Sequence, residues 1–326
     1  MRIAAWLAAV YLGAVAVALV VGATGSVESG PLAVVVLASA HLALAGLVFV
    51  PVLAAGRSRG LGLALAAVAL LFGLRFGGEW VSLPPTPATG ATILVATWNL
   101  DAFQRTGPDA VDFLRDHPAD LVALEELTPP VAAAIAADPD LASMYPHQSL
   151  DASAGTTGIG LLSRHPLDDP EYGSWPARLE TRIATPTGTI GVVAAHPFPA
   201  RFLFRNGIPI GYDPTQRNAD LGLLRDRVGR LTATGNPALL IGDFNTAPTE
   251  AAFARFTAGL HDAHAEVGEG PGWTWRPEPL DFIGIGLLRI DLILSSDGLR
   301  PTTTSIDCPT DGDHCLFEAR LVVEPG

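Results

Sequence analysis

The sequence predicts an α/β domain joined to a preceding bundle of apolar helices, and three observations carry that prediction. Apolar residues fill 49% of the 326 positions and charged residues only 16%, a balance that points to a part of the chain in lipid. The excess apolarity lies before Gly90, where the only charges are Arg2, Glu28, Arg57, Arg59, Arg75 and Glu79. Beyond it, short apolar runs of strand type alternate with amphipathic helical patterns and proline-glycine turns, the texture of an α/β fold.

Residues 1–82 are expected to form a membrane region with three helical spans, at about 3–22, 32–55 and 60–81. The third reaches full length only if Arg75 snorkels and Phe76 to Val81 enter the headgroup region, with Trp80 at its boundary. A cleavable signal peptide is the competing reading of the first span, and the apolar segments after it argue against that. His41 is expected to face a neighbouring helix. Arg2 and Arg57-Ser58-Arg59 flank the first two spans, whereas Ala23 to Gly30 has no base. The positive-inside rule then sets the N-terminus in the cytoplasm and everything after Val81 outside, as a multi-pass protein of the plasma membrane. A stiff proline-rich linker, 83–91, leads to the domain, 92–326.

After Gly90 the chain has 16 Arg against 31 acids, a net charge of −15. Such a domain repels a phosphate backbone, which disfavours a non-specific nucleic-acid binder and leaves a metal-assisted nuclease open. With no lysine in the chain, Schiff-base and phosphate-loop lysine mechanisms are excluded.

Each predicted element has a local reason. Apolar strands run over Thr92–Thr97, Ala119–Leu124, Gly158–Leu162, Ile290–Leu294 and Leu316–Val323. A hairpin of Arg178–Thr185 and Thr189–Ala195 turns at Pro186-Thr187-Gly188. Helices are expected over Pro108–Asp116, over Pro129–Ala137, which its prolines open, and over Thr249–Thr257. Gln216–Thr232 is amphipathic, with Leu221, Leu224, Val228 and Leu231 on one face. No internal repeat is present.

Polar residues that could handle metal or phosphate recur immediately after apolar strands. Leu239-Leu240-Ile241-Gly242-Asp243-Phe244-Asn245 is the clearest case, because alternation sends Asp243 and Asn245 to one side and Phe244 to the core. Asn99, Glu126, His196 and the pair Asp313-His314 have the same placement, and Asp291 lies within its strand. One such ending is usually a turn; six in one domain point to a shared cleft at the strand ends. Carboxylate and amide oxygens suit a hard cation such as Mg²⁺, and histidines backed by carboxylates suit phosphate-ester hydrolysis. The chain lacks a G-x-S-x-G elbow, a dinucleotide glycine fingerprint and a Walker loop.

Thr97-Trp98-Asn99, Leu124-Glu125-Glu126, Leu162-Ser163-Arg164-His165-Pro166, Ala195-His196, Gly242-Asp243-Phe244-Asn245, Arg289-Ile290-Asp291 and Asp313-His314 occur in the order of the endonuclease/exonuclease/phosphatase superfamily, which the chain resembles over about Thr92 to Val323. The apolar N-terminus resembles a bacterial membrane-anchored subgroup of VanJ-type glycopeptide-resistance proteins. The resemblance implies a DNase I-like α/β (α+β) four-layer sandwich, two mixed β-sheets packed face to face and flanked by helices.

It also implies roles. Glu126 would bind the divalent metal, Mg²⁺ with Mn²⁺ or Ca²⁺ as alternatives, with Asn99 and Asp313 in or near its shell. Asp243 would position or deprotonate the attacking water, Asn245 would hold a phosphate oxygen, and His196 would stabilise charge on the phosphoryl group. Asp291 would orient His314, which contacts phosphate or acts as an acid/base group. Arg164 would be structural. The superfamily often has glutamine before the metal glutamate, where this chain has Glu125. Either glutamate could therefore be the ligand, and strand alternation favours Glu126. Glu180 and Glu171 are the candidates for a carboxylate supporting His196.

Three further features stand apart. Cys308 and Cys315 bracket Asp313-His314, and on an outward-facing domain a disulfide there would close a small loop; two separate thiols are the alternative. The stretch Pro197 to Tyr212 is expected to be a loop. Its aromatics would either touch the membrane or a lipid tail, with Arg201 or Arg205 meeting phosphate, or pack on the domain. His261 and His264 are expected at a surface helix end rather than in a second metal site.

The leading functional expectation is a membrane-anchored, extracytoplasmic, metal-dependent phosphohydrolase acting on lipid-linked phosphate or pyrophosphate, its partners being the bilayer and that substrate. A nuclease on the outer side is second, and a catalytically silent binding domain is third. No obligate protein partner is inferred.

Overall fold

The computed structural model describes residues 2–51, 59–81, 90–277, 286–309 and 312–324; the linker residues 83–89 and the Arg57-Ser58 pair lie outside them. The uncharged N-terminal stretch forms α1 (Arg2–Ala23), α2 (Gly30–Leu37), α3 (Ser39–Ala45) with a 3₁₀ turn at Gly46–Phe49, and α4 (Arg59–Trp80). Helices α1 and α4 are each long and apolar enough to cross a membrane. The second stretch, expected as one span, is instead a pair bent by 52°, so among the described residues two helices are long and apolar enough to cross a membrane, or three if the pair counts as one. The bend falls at Ala38, with no proline or glycine to explain it. Ala8, Leu12, Val15 and Leu19 repeat along one side of α1 and bury against Ala40, Ala43, Leu61, Val68 and Phe76. Ile3, Leu7, Val10 and Val17 of α1 and Leu63, Leu70 and Leu74 of α4 stay exposed, an apolar exterior suited to lipid.

The chain continues as β1 (Ala91–Asn99), α5 (Gly107–Asp116), β2 (Leu121–Glu125), α6 (Pro129–Ala137), α7 (Pro139–Met144), β3 (His147–Asp151) and β4 (Ile159–Ser163). Next come β5 (Leu167–Ser174), β6 (Ala177–Thr185), β7 (Gly188–His196), β8 (Arg201–Arg205), β9 (Ile208–Asp213) and α8 (Thr215–Thr232). The remainder is β10 (Ala238–Asp243), α9 (Ala251–Thr257), β11 (His261–Asp262), α10 (Ala263–Val267), β12 (Asp291–Ser295), β13 (Leu299–Asp307) and β14 (Leu316–Val323).

Two six-stranded mixed sheets result, ordered β13-β14-β1-β2-β4-β3 and β11-β12-β10-β7-β6-β5. Period-2 alternation turns Ile93, Val95, Leu121, Ala123, Ile159 and Leu161 of the first sheet onto Leu179, Ile183, Ile190, Val192, Leu239, Ile241 and Ile293 of the second. Trp98, Val122, Leu124 and Leu162 face the other way, onto Ala110, Leu114, Val131, Ile135 and Leu141 of α5, α6 and α7. Leu221, Leu224, Val228 and Leu231 of α8 are buried, and a Cβ on Gly191 of β7 would meet Leu231 at 3.0 Å, so α8 covers the second sheet. Helix, sheet, sheet and helix form the four layers of the DNase I-like sandwich. At full burial each large aliphatic side chain contributes about 1.5–3 kcal/mol, so this double interface carries the fold.

Compact packing divides the chain into two units that do not follow chain order. One comprises Val81–Pro199, Gln216–Thr246 and Phe256–Gly326, and the other comprises Met1–Trp80 with Ala200–Thr215 and Ala247–Arg255. The stretch expected as a loop after His196 is largely a two-stranded hairpin, β8 and β9, turning at Asn206-Gly207 with both residues at positive φ. Asn-Gly is a hairpin signal in its own right. Within the helix unit β9 packs on α2, Arg255 makes a two-pronged ion pair with Glu28 at 2.8 Å, and Arg75 donates to the Thr249 carbonyl at 3.2 Å.

Candidate active site

Strand direction gathers the polar residues. β1 and β2 are parallel, as are β7 and β10, so Asn99, Glu125, His196 and Asp243 close strands pointing the same way within each pair. β12 runs antiparallel to β10 and starts at Asp291, directly opposite Asp243. β14 runs antiparallel to β1, which brings His314, two residues before it, to the same end. Gly242 is required where β10 reaches this edge, because its φ is +145° and a Cβ would lie 2.1 Å from the Ala195 carbonyl oxygen. Asp101, Glu126 and Asn245 have φ of 52°, 54° and 50°, left-handed conformations rare outside glycine that aim the first residues beyond their strands.

Asp243 is the hub. Its Oδ2 accepts from Asn99 Nδ2 at 3.0 Å and lies 3.5 Å from His196 Nε2 and 3.6 Å from His314 Nε2. Its Oδ1 accepts from the Asn245 backbone N–H at 2.9 Å, which fixes the carboxylate plane. His314 Nδ1 lies 3.0 Å from Asp291 Oδ2, and the Asp291 N–H donates to Thr274 Oγ1 at 3.2 Å. Asn245 Nδ2 donates to the Pro197 carbonyl at 3.1 Å and stands 3.2 Å from His196 Nε2. Arg217 caps the Asn245 carbonyl from α8. Glu126 Oε2 accepts from the Ala102 N–H at 3.1 Å, while its Oε1 lies 3.3 Å from Asn99 Nδ2 and 3.8 Å from His196 Nε2. Asp313 Oδ2 accepts from Trp275 Nε1 at 3.0 Å.

Charge follows burial and neighbours. Burial alone would lower the His196 imidazole, but Asp243, Glu126 and Glu125 overcome it and raise it to about 9. His314 is likewise raised, against burial, by Asp291 and Asp243. Burial works against Asp243 too, yet the two imidazoles hold it below the usual carboxylate range. Burial and the Asp243 charge push Asp291 up in spite of His314. Two imidazoles therefore face one carboxylate, and their ring N–H groups are donors that can meet an anionic phosphoryl oxygen.

The structure brings Asn99, Glu126, His196, Asp243, Asn245, Asp291 and His314 together in this one network. Glu125 and Glu126 stand in different surroundings. Glu125 is fully buried, takes the Thr97 hydroxyl on both carboxylate oxygens at 3.0 Å, and is raised to about 8 by burial and the nearby Asp291 and Asp243 charges. Glu126 is the partly exposed one. The supporting partner of His196 is neither Glu180 nor Glu171: Nδ1 donates to the Thr156 carbonyl at 3.0 Å, Glu180 pairs with Arg227 at 3.1 Å, and Glu171 sits opposite Glu180 on β5. A backbone acceptor leaves no trace in side-chain identity, which is why the sequence misdirects here. Arg164 pairs with Asp120 at 3.2 Å, a structural contact. Arg201 is occupied by Asp213 at 2.6 Å, and Arg205 is exposed near the hairpin turn. His264 is buried rather than at the surface, wedged between Gly268 and Gly272 with Nε2 3.0 Å from the Gly270 carbonyl. His261 pairs with Glu266 and Asp297. Cys308 and Cys315 form a disulfide, and Arg276 donates to the Gly312 carbonyl inside the loop it closes at 2.9 Å.

One residue escaped the sequence. Asp101, two positions after Asn99, is nearly buried, and its N–H donates to Asn99 Oδ1 at 3.0 Å. Burial, then Asp313 and Glu126, raise it to about 6. Its Oδ2 is buried with no hydrogen-bond partner, an orphaned acceptor beside other carboxylates. That arrangement fits a hard divalent cation, which would satisfy the oxygen and relieve the mutual repulsion. Asp243, Asp291 and His314 also offer ligand atoms within 4.8 Å of one another, but His314 and Asp291 are already hydrogen-bonded there.

The family profile described as the Endonuclease/Exonuclease/phosphatase family matches residues 96–314, a span that starts just before Asn99 and ends on His314. The chain belongs to that family. It is a hydrolase of phosphate-ester bonds, in a family whose enzymes use divalent metals. Among solved structures, humanized D. rerio TDP2 superposes with a TM-score of 0.56 at 16% identity, covering 71% of this chain and 98% of that one. Truncated Caenorhabditis elegans TDP2 gives 0.54 at 16% identity with the same coverage, and the Neisseria 3′ phosphatase NExo, bound to product DNA hairpin, gives 0.51 at 20%, covering 70% and 98%. These likenesses establish the shared fold. No curated protein sequence matches the chain.

Proposed function

We propose that this family member is a membrane-anchored, outward-facing phosphohydrolase acting on a phosphodiester or pyrophosphate of a lipid-linked cell-envelope intermediate, a role compatible with glycopeptide resistance. The observation that carries the reading is the joining of an anionic-phosphate pocket, Asp243 between His196 and His314, to a chain with apolar helices long enough to span a bilayer. The orientation has support inside the helix unit. Glu28, in the first inter-helix connection, and Arg75, near the end of α4, both bond the 247–255 segment, so these two regions belong on one side. Arg59 opens α4, at the end of that helix away from Arg75, so the positive-inside rule would set it on the other, cytoplasmic side.

Glu126, Asp101, Asp313 and Asn99 would hold a divalent cation, Mg²⁺ by its oxygen donors, with Mn²⁺ or Ca²⁺ as alternatives. The metal would neutralise phosphate charge and stabilise the leaving oxygen. Asp243 would accept the proton of the attacking water while Asn99 and the Asn245 N–H hold its carboxylate in place. Asn245 and His196 would bind non-bridging phosphate oxygens, and His314, held by Asp291, would donate a hydrogen bond or proton to the phosphoryl group.

The test is metal-dependent phosphate release from undecaprenyl pyrophosphate in vesicles, run beside cleavage of plasmid DNA. Release without DNA cleavage supports the proposal. Cleavage of DNA alone makes the chain an outer-side nuclease, the reading its solved DNA-bound relative would favour and the net charge of −15 after Gly90 opposes. A reporter fused after Gly326 that is active only in the cytoplasm would overturn the orientation.

A further inference from the structure

The hairpin of β8 and β9 is a ribbon of ten consecutive exposed residues, Arg201 to Ile210. Five are large and apolar: Phe202, Leu203, Phe204, Ile208 and Ile210, each between 44% and 64% exposed. The ribbon belongs to neither six-stranded sheet and pairs only with itself. A lone two-stranded hairpin is marginal in water, and one showing apolar side chains along both strands is worse than marginal.

Its immediate surroundings name what covers it. The hairpin is part of the helix unit, and β9 lies on α2, an eight-residue helix of sequence GPLAVVVL without a charge. Leu32 and Val35 of α2 are themselves exposed. Polar anchoring occurs at the base of the ribbon and beside it: Tyr212 donates to Glu250 Oε2 at 2.7 Å, Arg201 pairs with Asp213, and Arg255 and Arg75 bond Glu28 and Thr249. Those charged and polar groups mark the level at which the helices meet water, and the exposed apolar side chains continue the apolar surface of α2 below it. Arg205, exposed beside the turn, has a side chain long enough to reach headgroup phosphate while its stem stays in hydrocarbon.

We propose that the 201–213 hairpin inserts its apolar residues into the headgroup and acyl boundary of the same bilayer that holds α1 and α4, as an interfacial anchor distinct from the spans. This rests on the membrane-anchored reading above and deepens it. In sequence, four residues separate His196 from Arg201.

The test uses the full chain, with its native disulfide intact, in liposomes. A thiol-reactive fluorophore is attached in turn to Leu203→Cys, Ile208→Cys, Val17→Cys on α1 and Thr303→Cys on β13. Each label is then challenged with nitroxide-bearing lipid and with aqueous iodide. The expected result is lipid quenching at 203, 208 and 17, with iodide quenching confined to 303. Iodide quenching at 203 and 208 with lipid quenching at 17 overturns the hairpin proposal and leaves the membrane reading standing. Protection of 203 and 208 from both quenchers also overturns it, in favour of a protein-covered ribbon. Absence of lipid quenching at 17 overturns the membrane reading itself, and the proposal with it.

Discussion

His314 Nδ1 stands 3.0 Å from Asp291 Oδ2, and Asp291 is paired directly across the ladder with Asp243, whose other neighbour is His196. One strand pairing therefore supplies both the carboxylate that orients an imidazole and the carboxylate that faces it. Replacing Asp291 by Asn keeps the shape and removes the charge. Activity is expected to fall about 10²- to 10⁴-fold, mostly in kcat, and the His314 imidazole to titrate lower by NMR. An unchanged kcat would assign Asp291 a packing role.

The two adjacent glutamates should behave oppositely. Glu126→Gln is expected to abolish metal-dependent hydrolysis and weaken Mg²⁺ binding measured by calorimetry by at least about tenfold. Glu125→Gln, in a fully buried site where burial pushes the carboxyl up to about 8, is expected to retain most of the activity. Equal losses in both variants would contradict the spatial assignment.

Asn245→Ala removes the group bridging Pro197 and His196 and the one placed to hold a phosphate oxygen. A loss of about 10² to 10³ in kcat is expected, the size seen when a single preorganised oxyanion donor is deleted, with Mg²⁺ affinity unchanged.

His117 gives a pH signature away from the site. Burial lowers its imidazole, but the Phe113 carbonyl and the Asp307 carboxylate, 2.7 Å away, raise it on balance. A folded value above the unfolded one, about 6.5, means stabilisation is fully present below that pH and disappears as pH rises through the folded value. His117→Gln should therefore cost stability near about pH 6, by less than about 1 kcal/mol because Asp307 is largely exposed, and next to nothing well above the folded value. Denaturant melts in detergent at the two pH values check it.

Reduction of Cys308–Cys315, or its double replacement by serine, should lower stability by about 2.5 kcal/mol on loop-closure entropy. It should also raise the mobility of Asp313, read through the fluorescence of Trp275, whose indole N–H bonds that carboxylate.

Much of the fold was legible because its signals are local. Alternation located β1, β7, β10 and β14 nearly to the residue, and the four leucine-type positions of α8 gave its buried face. Strands β3, β5 and β13 escaped, since β5 carries Asp168, Asp169, Pro170 and Glu171 and β13 alternates around threonines; edge strands lack the apolar signature. The hairpin escaped because apolar aromatics outside a core look like a packed loop. In the site, the strand-end residues were legible as a set, while Asp101 was hidden by its position inside a turn and the Thr156 carbonyl by having no side-chain identity. The bend at Ala38 has no sequence marker at all.

The ion pair between Glu28 and Arg255 joins residues 227 positions apart. During synthesis α1 and α2 are complete long before their partner segments exist, and the helix unit stays unfinished until Arg255 has been made. The helix unit is thus assembled from the two ends of a long stretch of chain, and removing the N-terminal helices would leave the 200–215 and 247–255 segments without the surface they close on.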